Sequence, residues 1–350
     1  MMKYILGSVV MIVMMLTGIK PENTWQKSFN RVEVQTLFMD STMSIRALEL
    51  YGNNNFTFAT SNGWVGGSSI NEIEEHVDST IKLEYDSIVP NFRSLANVKE
   101  TTFALSIASP ALLYKIDVKG NHLVYQEDGE GVFYDSMEFW NDQEGIAIGD
   151  SIDGCLSVII TRDGGNTWSK LSCEQLPKGI DGEGAFAASD TNIAIYGDQA
   201  WVATASGRVL FSSDKGMTWA VRDTPIIKDK ETEGIYSIAF YDAMNGFAIG
   251  GDYTKPDDNS KNKIRTSDGG QSWQLVSENQ GPGYRSCVQY IPNSQGHGLV
   301  AVGYRGIDVS SDSGDTWKHL SDEGFYTLRF SNDSIAYAAG QGRISKLVFK

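Results

Sequence analysis

Cysteine is scarce in this chain of 350 residues: only Cys155, Cys173 and Cys287 occur. Three thiols make no disulfide framework, and without a Cys-x-x-Cys pair there is no zinc knuckle or dithiol redox motif. Cys155 and Cys173 could pair in an oxidising compartment, but buried free thiols are the expectation. Proline is also sparse, at 8 residues against 36 glycines, so the turns are expected to be glycine-made. Basic residues are outnumbered, 29 to 44, leaving a formal charge of −15. Such a surface repels phosphate backbones and excludes nucleic acid as a partner. Histidine is limited to His76, His122, His297 and His319, no two at metal-ligand spacing. A Gly-x-Ser-x-Gly elbow is missing as well. No metal and no cofactor is expected.

Long apolar runs are missing too, except at the start. Lys3 precedes the run Ile5–Leu16, which has the length of a signal-peptide core and falls short of a comfortable membrane span. Leu16-Thr17-Gly18-Ile19 is shaped like a lipoprotein signal with isoleucine where the lipidated cysteine would stand. Residues 1–20 are therefore read as a signal peptide or an N-terminal membrane tether, and the protein as exported, periplasmic or extracellular. Residues 25–350 are read as one domain, a monomer.

What the chain has in abundance is repetition. Thr161-Arg-Asp163-Gly-Gly-Asn-Thr-Trp168 recurs as Ser212-Ser-Asp214-Lys-Gly-Met-Thr-Trp219, as Thr266-Ser-Asp268-Gly-Gly-Gln-Ser-Trp273 and as Ser310-Ser-Asp312-Ser-Gly-Asp-Thr-Trp317. The spacing is roughly 45–55 residues, the length of one four-stranded propeller blade. The pattern is that of the Asp-box, or BNR repeat. Its aspartate caps backbone N–H groups within a tight hairpin, its glycine supplies positive φ, and its tryptophan packs into the sheet. These eight Asp and Trp residues are accordingly structural.

Apolar strands ending in glycine precede each box, as in Gly145–Asp150, Ile193–Asp198 and Gly246–Asp252, and such runs read as strands buried on both faces. Tyr114–Gly120 resembles a worn box without its tryptophan. Counting strands predicts an all-β fold, a seven-bladed propeller of four-stranded antiparallel blades starting near residues 40, 92, 134, 184, 234, 284 and 325. Arg31–Thr36 is expected to supply the outer strand of the last blade, closing the ring and removing exposed edges.

From about residue 40 to 347 the order of motifs resembles bacterial relatives of the photosystem II stability/assembly factor, a seven-bladed Asp-box propeller family. The segments that carry the resemblance are Phe139–Asp142, Gly182–Ser189, Gly250–Asp257, Gly283–Ser286 and Glu323–Tyr326. In photosynthetic organisms that family helps assemble the reaction centre, so the resemblance implies a protein-binding scaffold. Relatives of this kind also carry the description oxidoreductase, for which no dinucleotide fingerprint, flavin motif or metal-cysteine set exists here.

A propeller binds at loops held over its central channel. If the Gly-Asp endings follow the second strand of each blade, then Asp150, Asp198 and Asp252 point to the top face, opposite the boxes. The starts of the blades bring Glu183, Glu233, Tyr284, Arg285 and Glu323 there, and an insertion after Asp252 adds Lys255. This rim is the expected site for a protein or glycan partner. The alternative is a glycoside hydrolase, because Asp-boxes are frequent in sialidases. That chemistry needs paired carboxylates, and the Arg-Ile-Pro segment typical of sialidases is absent, Asn91–Ser94 being the nearest approach.

Overall fold

The computed structural model describes residues 25, 27–52, 55–68, 77 and 79–350. The proposed signal segment, residues 1–20, lies outside them. Among the described residues the regular structure is all strand apart from one 3-10 turn at Cys173–Gln175, and no helix is long and apolar enough to cross a membrane.

In chain order the strands are β1 (Val32–Tyr51), β2 (Asn55–Thr60), β3 (Trp64–Ser68), β4 (Ser79–Lys82), β5 (Phe92–Val98), β6 (Thr101–Ser106), β7 (Ala111–Asp117) and β8 (Gly120–Glu127). They continue as β9 (Tyr134–Phe139), β10 (Gly145–Ile152), β11 (Cys155–Thr161), β12 (Ser169–Lys170), β13 (Ile193–Tyr196), β14 (Gln199–Ala203), β15 (Arg208–Ser212) and β16 (Ala220–Asp223). The rest are β17 (Ile235–Phe240), β18 (Gly246–Gly250), β19 (Lys263–Thr266), β20 (Gln274–Leu275), β21 (Cys287–Tyr290), β22 (Leu299–Gly303), β23 (Gly306–Ser310), β24 (Lys318–Ser321), β25 (Thr327–Phe330) and β26 (Ile335–Phe349). Each run from β5 to β24 forms successive four-stranded antiparallel meanders, five sheets in all, and β25-β26-β1-β2-β3-β4 form a sixth, six-stranded sheet.

This corrects the expected count. The propeller has six sheets, not seven separate four-stranded ones. The units anticipated near 325 and 40 share one hydrogen-bonded sheet because β1 serves two partners. Its first half pairs with the end of β26, from Val32 opposite Phe349 to Met39 opposite Arg343, and its second half pairs with β2, from Ile45 to Tyr51. A register shift lies between the two halves. Because β1 carries the pairing from one unit into the next across that shift, counting repeats overstates the number of sheets by one.

Apolar clusters fill the clefts between neighbouring sheets, such as Phe103, Met137, Ala147 and Trp168 between β5–β8 and β9–β12. The four repeated aspartate turns are alike in detail. Asp163, Asp214, Asp268 and Asp312 each accept a bond at Oδ1 from the hydroxyl two residues earlier and from the backbone N–H four residues later. Their Oδ2 accepts the hydroxyl of that later residue. Glycine is required in each because the backbone is left-handed there and the turn sits against the preceding sheet. A Cβ on Gly165 or Gly314 would meet the rings of Phe103 or Phe247 at 2.3 and 2.2 Å.

The thiols also differ from expectation. Cys155 and Cys173 form a disulfide, and Cys287 alone is free and buried. The loop after β12 folds back over the β10–β11 turn, where Gly179 N–H donates to Gly154 O. Sequence spacing carries no trace of that return.

Candidate functional site

The axis of the ring is not open. Between β12 and β13 the chain runs 22 residues with only one short turn of regular structure, and its end, Ala187–Asn192, is buried. That segment is hydrogen-bonded from every other sheet. Arg46 Nη1 donates to Ala188 O at 3.0 Å and Arg93 Nη1 to Ala187 O at 2.9 Å. The Asp190 carboxylate accepts from Leu95 N–H at 2.7 Å and Met137 N–H at 3.2 Å. Thr191 donates to Ser237 Oγ, Ser189 donates to Ser286 O, and Thr327 and Arg329 donate to the carbonyls of Ser189 and Asp190. Small hydroxyl residues on the inner strands leave room for this stopper and satisfy its backbone, as a buried irregular segment requires.

Two cavities result. The lower one, about 380 Å³, opens on the side of the inner-strand ends and holds Glu49, Glu138, Asp190 and Arg329. Arg329 is paired with Glu49 at 2.6 Å. Burial, and then the neighbouring Glu49, pushes Glu138 up to about 7.

The upper cavity, about 620 Å³, lies over Ala185–Ala188 on the face of the Asp150 turn, away from the aspartate turns. One wall is aromatic. Phe186 and Tyr236 stack at 3.7 Å, Tyr284 meets Tyr236 edge-on at 4.7 Å, and Tyr253 and Tyr304 extend the wall outward, half exposed. The other wall carries Arg46, lying 3.9 Å over the Tyr326 ring, and Arg93. Burial, and then the like charge of Arg46, lowers Arg93 to about 10. Neither guanidinium has a carboxylate within ion-pair distance among the described residues, and Arg46 Nε is buried without a partner. Asp150 completes the lining. Its Oδ1 accepts from Ala185 N–H at 3.3 Å, and burial pushes it up to about 6. Behind it Asp135 is fully buried and held well above the carboxylate range by burial and by Asp150.

Of the residues expected at this rim, Asp150 and Tyr284 line the cavity. Four others are consumed in structure. Glu183 forms a bidentate pair with Arg208, Arg285 is paired with Asp308 at 2.6 Å, Glu233 accepts from Asp229 N–H and Lys230, and Asp252 is capped by Thr254. Lys255 and Glu323 are exposed, Glu323 paired with Arg343. Asp198 lies on the opposite face, where Lys215 N–H, inside the Asp214 turn, donates to its carbonyl. The reason is a shifted strand: Ile193–Tyr196 is the first strand of its sheet, paired with Gln199–Val202, and not the second. Arg46, Arg93, Phe186, Tyr236, Tyr304 and Tyr326 were not assigned to the site. The available signal was positional, since Arg46, Arg93, Tyr236 and Tyr326 lie within about two residues of the start of an inner-strand segment, where side chains turn toward the axis. Among the described residues no group of three or more His, Cys, Asp or Glu is placed to hold a metal.

No family model and no curated protein matches the chain. Solved structures do. The chain is similar to YCF48 bound to a D1 peptide (TM-score 0.63, 12% identity, covering 93% of this chain and 98% of that one). It is also similar to the RRP9 WD40 repeats (TM-score 0.62, 12% identity, 91% and 98%). A third is the Neurospora crassa Pan2 WD40 domain (TM-score 0.61, 13% identity, 88% and 89%). The chain has a β-propeller fold. At these identities the likeness speaks for architecture alone.

Proposed function

We propose that this protein is a non-catalytic binding scaffold of the envelope, an Asp-box propeller that receives a segment of a protein partner in the upper cavity. The observation that carries the reading is the pair Arg46 and Arg93, neither ion-paired with a carboxylate, beside an aromatic wall, in a chain of net charge −15. Two half-buried like charges raise each other's energy, and an anionic group seated between them relieves it. Tyrosines supply rigid contact area at small entropic cost. The partner segment is accordingly acidic with apolar or aromatic neighbours. The order of motifs shared with the photosystem II assembly factor-like family supports an assembly role. The structural neighbour captured with a peptide offers a precedent for peptide binding on this architecture. The apolar run Ile5–Leu16 and the Cys155–Cys173 disulfide support export to an oxidising compartment.

Hydrolysis of glycosides is the weaker reading. Asp150 is raised toward the range of a general acid, but Asp135, whose charge it opposes, is fully buried and so not presented to a substrate.

The test is site-specific photo-crosslinking from position 304, with benzoylphenylalanine in place of Tyr304, in the source cells. A discrete protein adduct is expected, lost in Arg46→Glu and in Tyr253→Ala. No adduct, an adduct indifferent to both changes, or turnover of a fluorogenic sialoside by the purified protein would overturn the reading.

A further inference from the structure

Five of the six clefts between neighbouring sheets contain an indole ring. Trp168 sits between β5–β8 and β9–β12, Trp219 in the next cleft, then Trp273 and Trp317. Between β21–β24 and the six-stranded sheet, where no aspartate turn follows, Trp25 reaches in from the N-terminal side. Its ring lies so close to Gly298 that a Cβ there would meet it at 2.7 Å. The sixth cleft, between the six-stranded sheet and β5–β8, has no tryptophan in its cluster.

The missing ring is only part of the difference. Phe103, Trp201 and Phe247 on β6, β14 and β18 carry the rings or turns that dock on them. In the six-stranded sheet the corresponding second-strand position is Thr57, and its partner across the ladder is Gly67. The β7–β8 connection, which would deliver a ring, is a tight hairpin at Asp117–Gly120. What remains is a recess of about 430 Å³, with Gly66 and Gly67 on one side and Ile116 on the other, beside the point where Asn97 Nδ2 donates to Thr57 Oγ1 at 2.7 Å. At its lip stands Val118, 89% exposed, the most exposed large apolar side chain among the described residues. Gly67 is not there for its backbone, since its φ is ordinary and an added Cβ would touch nothing nearer than 3.5 Å.

We propose that this cleft receives a tryptophan side chain from a partner polypeptide, completing in trans the packing that the chain itself completes in the other five. The occupant's chemistry is set by the sister clefts, which show what this geometry accommodates. A recess of this size admits one or two side chains and not a subunit face, since a stable dimer buries roughly 1,000 Å² or more. Tryptophan is among the residues enriched as such buried anchors.

The probe is N-acetyl-5-fluorotryptophanamide, titrated with the full chain and followed by fluorine NMR. Saturable shift and broadening are expected for the native protein, with affinity weakened at least tenfold in Gly67→Leu, which fills the recess, and in Val118→Asp, which charges its lip. Met217→Asp, at an exposed apolar side chain on the Asp214 turn, leaves the titration unchanged. Thermal melts show whether Gly67→Leu retains the fold, and Val118→Asp decides the matter if it does not. Absence of saturation, equal binding by the filled variant, or equal competition by N-acetylleucinamide overturns the proposal. So does a dimer in sedimentation that Gly67→Leu dissociates, which would assign the cleft to a second copy.

Discussion

Replacing Asp268 by alanine tests whether the repeated turns hold the sheets together. The Asp268 carboxylate accepts three bonds, from Thr266 Oγ1 at 2.7 Å, Ser272 N–H at 3.0 Å and Ser272 Oγ at 2.6 Å. Hydrogen bonds to a charged acceptor contribute about 1.5–3 kcal/mol each. Ser272 is exposed, so its two donors turn to water in the variant, and the expected loss is about 2–3 kcal/mol instead of the full sum. Asp268→Asn keeps one acceptor oxygen and should lose about 1 kcal/mol. The assay is urea unfolding at neutral pH and again near pH 3. Burial alone would raise this carboxyl, but the Ser272 and Thr266 donors outweigh it and hold it below the ordinary carboxylate value. A carboxyl depressed in the folded state stabilises fully above its unfolded pKa of about 4 and loses that contribution as pH falls through the folded value. The difference between native protein and Asp268→Ala must therefore shrink at pH 3. A neutral-pH loss under about 0.5 kcal/mol, within the range of an ordinary surface change, or a loss that does not diminish in acid, would refute the account of the turn.

Three further outcomes follow from the same geometry. Asp150, raised to about 6 by burial, loses its charge as pH falls through that value and leaves Arg46 and Arg93 unopposed. The yield of the Tyr304-position cross-link should rise from pH 7.5 to 5.5, and Asp150→Asn should remove the dependence. Changing Cys155 and Cys173 together to alanine frees a loop of 18 residues and should cost about 3 kcal/mol in urea unfolding under oxidising conditions. A chain ending at Gly342 loses the stretch of β26 that pairs with Val32–Met39. Its ring stays open at one seam, and it should elute as aggregate or expanded monomer in gel filtration.

The propeller was legible because its turns need particular atoms. A carboxylate two residues after a hydroxyl and four before another, with glycine between, closes one kind of hairpin, and four copies at blade spacing leave few architectures. The number of sheets was not legible, because the weld between β26, β1 and β2 depends on one long strand changing partners at a register shift. Ile193–Asp198 copies Gly145–Asp150 in composition while occupying a different rung of its sheet, which carries Asp198 to the opposite face. The rim acids had the right chemistry for recognition, yet Glu183 is tied to Arg208 on β15 and Asp252 to Thr254 in its own loop. Arg46 and Arg93 belong to no motif. They gain meaning only from the absence of a carboxylate within ion-pair distance, which is a property of packing across the ring. The stopper is the hardest feature to foresee, since Ala187–Asn192 has neither strand nor helix periodicity and is held by residues as far along the chain as Arg46 and Arg329.

That stopper restricts how this protein can change. Propellers built from self-contained units can gain or shed a unit by duplication or deletion, with the circle widening or narrowing to suit. Here a single hub, cut to the present circumference, is gripped by spokes as distant in sequence as Arg46 and Arg329. A chain with one more or one fewer unit would place those spokes out of reach of the hub. Its lineage is thereby committed to one copy number, and new specificities have to arise at the rims.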